Sequence, residues 1–66
     1  MTEFYIELQD ADGTSYGCTD KFTGEAMYFE DLEDARLYAK GQVNETYILA
    51  RVINAQTGRV VDFFQR

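Results

Sequence analysis

The stretch Thr46 to Asn54, read as Thr-Tyr-Ile-Leu-Ala-Arg-Val-Ile-Asn, constrains this 66-residue chain more than any other segment. It is rich in β-branched and aromatic residues, which fit a pleated, buried surface. Alternation places Ile48, Ala50 and Val52 on one side and Tyr47, Leu49, Arg51 and Ile53 on the other. Neither side is purely polar, so the segment is predicted to be a central strand with a neighbour on each flank.

The other elements follow from local chemistry. Phe4-Tyr5-Ile6-Glu7-Leu8 alternates with period two and is predicted to form a half-buried strand ending at Gln9. Asp10-Ala11-Asp12-Gly13 supplies turn residues, and Thr14 to Thr19 returns as a second strand with Tyr16 and Cys18 on one side. Asp20 to Met27 has no periodicity and reads as a loop, with a short extended piece at Met27 to Phe29. Asp31 and Asp34 stand at N-cap and N3 spacing, a capping box with Asp in place of Glu or Gln. Leu32, Ala35 and Ala39 continue as a stripe flanked by Tyr38, and Gly41 offers a C′ stop, for a helix of about ten residues. Asn54-Ala55-Gln56-Thr57-Gly58 reads as a hairpin loop with Gly58 left-handed, and Arg59 to Phe64 returns as the last strand. The expected fold is a single α+β domain over residues 1–66, β-β-α-β-β, with one helix packed on one face of an antiparallel sheet and the other face partly wet.

Composition narrows the function classes. The chain has no His and a single cysteine, Cys18. An intrachain disulfide is thereby excluded, the usual zinc ligand set cannot be built, and general base chemistry loses its commonest residue. Cys18, in a strand, reads as a buried small hydrophobe rather than a nucleophile. Asp10-x-Asp12-Gly13 lacks the further oxygen ligands of a calcium loop and is better explained as a turn. The five glycines are too dispersed to cradle a phosphate, and Asn44-Glu45-Thr46 matters as a glycosylation triplet only in a secreted chain. No enzymatic activity, metal or cofactor is expected. Met1-Thr2-Glu3-Phe4 lacks the basic and apolar start of a signal peptide, no apolar run has the length of a membrane span, and the expected location is the cytoplasm.

Charge is the property that points to a partner. Residues 1 to 34 hold ten Asp/Glu and one Lys, net −9; residues 35 to 66 hold two Asp/Glu and five Lys/Arg, net +3. An overall charge of −6 disfavours direct binding to nucleic acid or an anionic membrane and favours a basic protein. Asp10, Asp12, Asp20, Glu25, Glu30, Asp31, Glu33 and Asp34 put eight carboxylates within 25 residues, opposed only by Lys21. Capping and the helix dipole account for one or two of the four at the helix start, and the rest repel one another. If the hairpin turn and loop lie beside the helix start, the eight make one acidic face whose spacing can imitate a nucleic-acid backbone. Tyr28, Phe29, Tyr38 and Tyr47 are candidate apolar anchors, with one or two tyrosines expected to be exposed.

In length, sparse cysteine, absence of catalytic residues and carboxylates gathered on one side, the whole chain resembles the small acidic inhibitors that phages and other mobile elements encode against host nucleic-acid enzymes, including anti-CRISPR DNA mimics. No motif defines that group, so no residue role is carried over from it. The resemblance implies a non-catalytic inhibitor in the host cytoplasm. Its face of eight carboxylates would occlude the basic DNA-recognition groove of an effector, such as the large subunit of a type I CRISPR surveillance complex. Two other readings stand beside it: an acidic surface that serves solubility alone, and a structural or interaction module that self-associates as a homodimer through the Arg59 to Phe64 edge, because Phe63 and Phe64 cannot both face one core. An enzyme using carboxylates alone would need a pocket that a chain this small does not suggest.

Overall fold

The computed structural model describes residues 2–20 and 22–66. Met1 and Lys21, the one cation set against the eight carboxylates, lie outside the described residues. The elements run β1 (Phe4–Asp10), β2 (Ser15–Gly17), α1 (Leu32–Gln42), β3 (Tyr47–Asn54) and β4 (Val60–Gln65). The four strands form one antiparallel sheet in the order β2-β1-β3-β4, with the helix packed on one side, so the α+β arrangement and the central place of β3 both hold.

The core is the sandwich between α1 and the two inner strands. Phe4, Ile6 and Leu8 of β1 and Ala50 and Val52 of β3 meet Ala35 and Ala39 of the helix, and all are buried. Ile6 sits opposite Val52, and Leu8 opposite Ala50. Two helical alanines with no exposure let the helix axis sit close to the sheet, and that closeness replaces the bulk a small chain lacks. Leu32, expected in this stripe, is 38% exposed because it occupies the first helical position, at the margin of the packed layer.

Phe29 bridges Phe4 through two 2.8 Å backbone bonds and is antiparallel to β1, as is β3. Phe29 and β3 therefore run the same way, with β1 between them, and α1 is the crossover that joins them. The helix starts beside the Phe4 end of β1 and delivers the chain to Tyr47, opposite Asp10 at the other end.

β1 runs one residue further than expected, to Asp10, β3 begins at Tyr47, β4 is shifted by one residue to Val60–Gln65, and three larger differences have a physical cause. The second strand shrinks to Ser15–Gly17, since beyond it only the Cys18 N–H bond to Ile6 C=O continues the pairing with β1, and Thr19 bridges Ala26 instead. Gly41 lies inside the last helical turn, and the helix stops at Val43, whose extended backbone leads into Asn44, where a side-chain Oδ1 accepts from the N–H groups of Thr46 and Tyr47. Finally, a bulge between Gln9 and Asp10 pairs Asp10 with Tyr47 and leaves Ile48 as the extra residue. Tyr47 is thereby turned toward the core side, away from the Leu49 side that strict alternation assigns to it.

Candidate functional site

Each of the eight carboxylates was expected on one face, and the backbone separates them into three places. Asp10 and Asp12 lie in the turn after β1, whereas the Phe4–Phe29 bridge holds Glu30, Asp31, Glu33 and Asp34 at the start of β1. Six strand residues at about 3.3 Å each put roughly 20 Å between the two groups. Asp20 and Glu25 stand on a separate excursion closed by the Thr19–Ala26 bridge, and Asp20 borders a groove shared with Tyr38 and Gln42 of the later half of the helix. The condition for a single acidic face of eight is not met.

The carboxylates also differ in what they already do. Asp10 Oδ1 accepts from the N–H groups of Asp12 and Thr14, and Oδ2 accepts from the Tyr16 hydroxyl at 2.9 Å. Desolvation works to raise the Asp10 carboxyl, but the bonds from Tyr16, Thr14, Asp12 and Gly13 together hold it below its ordinary range. The same bond and the negative charge beside it push the Tyr16 hydroxyl up. Gly13, at φ +87°, completes this turn. These oxygens stabilise a hairpin and are not directed at a cation. Asp20 Oδ1 likewise accepts from the N–H groups of Phe22 and Thr23 and shapes the tip of the excursion.

At the helix start the arrangement is more open. Asp31 is the N-cap, its Oδ1 accepting from Glu33 N–H at 2.8 Å. Asp34 was expected to complete a capping box, but its shorter side chain makes no return bond to Asp31 among the described residues. Glu33 has a long 3.6 Å ion pair to Arg36 and remains 68% exposed, because Arg36 Nε is committed to Asp62 of β4 at 2.7 Å. Among the described residues the carboxylates of Glu30 and Asp34 take part in no hydrogen bond or ion pair. Four carboxylates thus gather at one helix end, Asp31 tied as a cap and Glu33 in a long ion pair.

The aromatic anchors are redistributed. Phe29, Tyr38 and Tyr47 pack against the core, and Phe29 and Tyr38 meet at 5.4 Å. Tyr28, stacked edge-on against Tyr5, stays 56% exposed, and Tyr16, edge-on to Tyr47, is the second exposed tyrosine. Phe22 was not anticipated: it stands 97% exposed at the excursion tip. Its sequence signal is an aromatic inside a turn marked by Asp20 and Gly24, a position that cannot contribute to a core. Cys18 is half-buried against the core, and burial pushes its thiol up, away from the reactive thiolate.

The uncovered side of the sheet carries Tyr5, Glu7, Gln9, Leu49, Arg51, Ile53 and Phe63. Arg51 reaches Glu7 at 3.5 Å and Gln9 at 3.2 Å, a polar centre between apolar flanks. No helix among the described residues is long and apolar enough to cross a membrane. The chain is thus of the small α+β class in which one helix covers a four-stranded antiparallel sheet. Comparison with protein-family models, curated proteins and solved structures returns no match, so function is argued from these side chains alone.

Proposed function

We propose that the chain is a non-catalytic binding protein whose helix-start carboxylates, Glu30, Asp31, Glu33 and Asp34, engage the basic nucleic-acid-binding surface of a partner protein. The observation that carries the reading is the idle state of Glu30 and Asp34 beside a Glu33 that is 68% exposed. Four like charges on five consecutive residues repel one another, and the Asp31 cap and the helix dipole acting on the first-turn Glu33 and Asp34 offset only part of that cost. Such a cluster steers association with Lys/Arg-rich grooves and competes with a phosphate backbone there. A DNA mimic of the anti-CRISPR kind, occluding the target-DNA groove of a surveillance complex, is the specific form the overall character of the chain suggests. On this reading the partner contacts one helix end, and Asp20 and Glu25 form a separate group.

The test compares the wild type with E30Q/D34N, two changes at side chains that make no hydrogen bond or ion pair among the described residues. Tagged proteins are used to pull down partners from bacterial lysates carrying CRISPR and restriction systems, at low and high salt, with and without target DNA. The expected result is salt-sensitive recovery of a DNA-binding effector by the wild type, displaced by that effector's own target DNA, and at least tenfold weaker recovery by the double variant. Equal recovery by both proteins, or binding unaffected by DNA, refutes the reading.

A further inference from the structure

We infer that β4 is a self-association edge, on which a second copy of this chain pairs antiparallel about a two-fold axis at Phe63. β4 is the last strand in the sheet order, and β3 occupies only one of its sides. The bond from Arg66 N–H to Ile48 C=O, together with the register that sets Ala50 opposite Phe64 and Val52 opposite Asp62, identifies which groups face inward. The N–H and C=O groups of Phe64 and Asp62 point to β3, and those of Phe63 and Gln65 point outward. Outward groups pair with outward groups when the axis passes through Phe63, which sets Phe63 against its own copy; the regular edge ends at Val61, the extra residue of a bulge between Asp62, opposite Val52, and Val60, opposite Ile53. A shift of the axis by one residue to Asp62 would instead set two carboxylates face to face. Asp62 Oδ1 now accepts Phe63 N–H at 2.8 Å; pairing replaces that bond, and Asp62 keeps its bond to Arg36.

Side chains on both sides of this edge favour the same occupant. Val60 (49% exposed), Val61 (43%) and Phe63 (56%) lie on β4, and Leu37 (63%) stands with Phe64 in the groove between helix and edge. Phe63 stands on the uncovered face and Leu37 on the helix face, so apolar side chains border the edge on both faces. The backbone and polar side chains of the strand bring the pair toward the roughly 600 Å² per partner at the lower limit of specific interfaces. The whole chain exposes 4673 Å², where a monomer of its mass typically exposes about 4,300 Å². Charge selects this edge over the other one: β4 belongs to the half of the chain with five cations and two anions, and β2 to the half with net −9. The product is a continuous eight-stranded sheet with both helices on one face.

The experiment measures mass by light scattering across a concentration series, with circular dichroism as the fold control. The wild type is expected to move from 7.6 kDa toward twice that mass, more readily at high salt, because salt screens the repulsion between two copies of charge −6. F63K should remain at the single-copy mass with an unchanged spectrum. Under mild oxidation F63C should form a disulfide-linked pair, since the two Cα atoms would lie about 5.5 Å apart. Q65C, about 13 Å from its own copy in this register, should cross-link no faster than wild type. A single-copy mass at every concentration, an F63K that dimerises normally, equal cross-linking of Q65C and F63C, or a mass that grows beyond two copies through pairing of β4 on a neighbour's β2 would each overturn the inference.

Discussion

The two hairpins of this chain are held by different physics. In the first, β2 has three residues, all exposed, and the turn depends on one carboxylate, Asp10, bonded to two backbone N–H groups and the Tyr16 hydroxyl. In the second, Asn54 Oδ1 accepts from the N–H groups of Gln56 and Thr57 without any charge, and β4 sends Phe64 into the core and Asp62 to the helix. In the first hairpin the turn and β2 are local and polar and only β1 supplies the core; in the second both strands reach it. A partner meets correspondingly different surfaces: three exposed residues on the β2 side, and a six-residue strand, bulged at Val61 and flanked by apolar side chains, on the β4 side.

The most direct way to break this contrast is to remove a side chain from each hairpin. F64A should cost about 2–3 kcal/mol, below the usual loss for a fully buried Phe because Phe64 is only half-buried. Y16F, which deletes a single exposed hydroxyl, should cost well under 1 kcal/mol. Urea unfolding of the two variants checks both; equal losses would show the first hairpin to be as integral as the second.

A smaller effect separates turn backbone from core. Gly58 sits at φ +74° with nothing near its missing Cβ, so G58A loses by conformation alone, about 1–2 kcal/mol. D31A, which removes the helix cap, should cost about 1 kcal/mol, whereas D31N should restore most of it because Asn caps as well as Asp. Thermal melts of this pair test whether Asp31 acts as a cap or only as one more charge.

How far these features could be read from sequence depends on whether the signal was local. The strand alternation of Phe4 to Leu8, the Asp31 cap and the left-handed Gly58 are properties of a few adjacent residues, and they appear where expected. The bulge at Ile48 arises from pairing with a distant strand, and no adjacent residue announces it, so Tyr47 was assigned to the wrong face. The acidic cluster was overcounted for the same reason: adjacency in sequence suggested one face, while the length of β1 holds Asp10 and Asp12 away from the helix start. That Asp10 and Asp20 are occupied by turn N–H groups was visible only in part, through the general habit of Asp in turns.

The smallest predicted effect is also the one that acts on a single hairpin. The Asp10 carboxyl titrates below its ordinary range in the folded chain, so the folded state binds this proton less readily than the unfolded state does. Its contribution is therefore fully present above the unfolded-state value, near pH 4, and is lost as pH falls through the lowered folded value. The Asn54 turn has no titrating group and gives no such response. In a pH series followed by backbone NMR, the amides of Asp12 and Thr14 should shift and exchange faster below about pH 4, with those of Gln56 and Thr57 unmoved. In D10N the first response should vanish, because the amide oxygen still accepts those bonds but carries no charge to lose. If both turns loosen together as the pH falls, acid acts on the whole fold, and the independence of the first turn from the core is disproved.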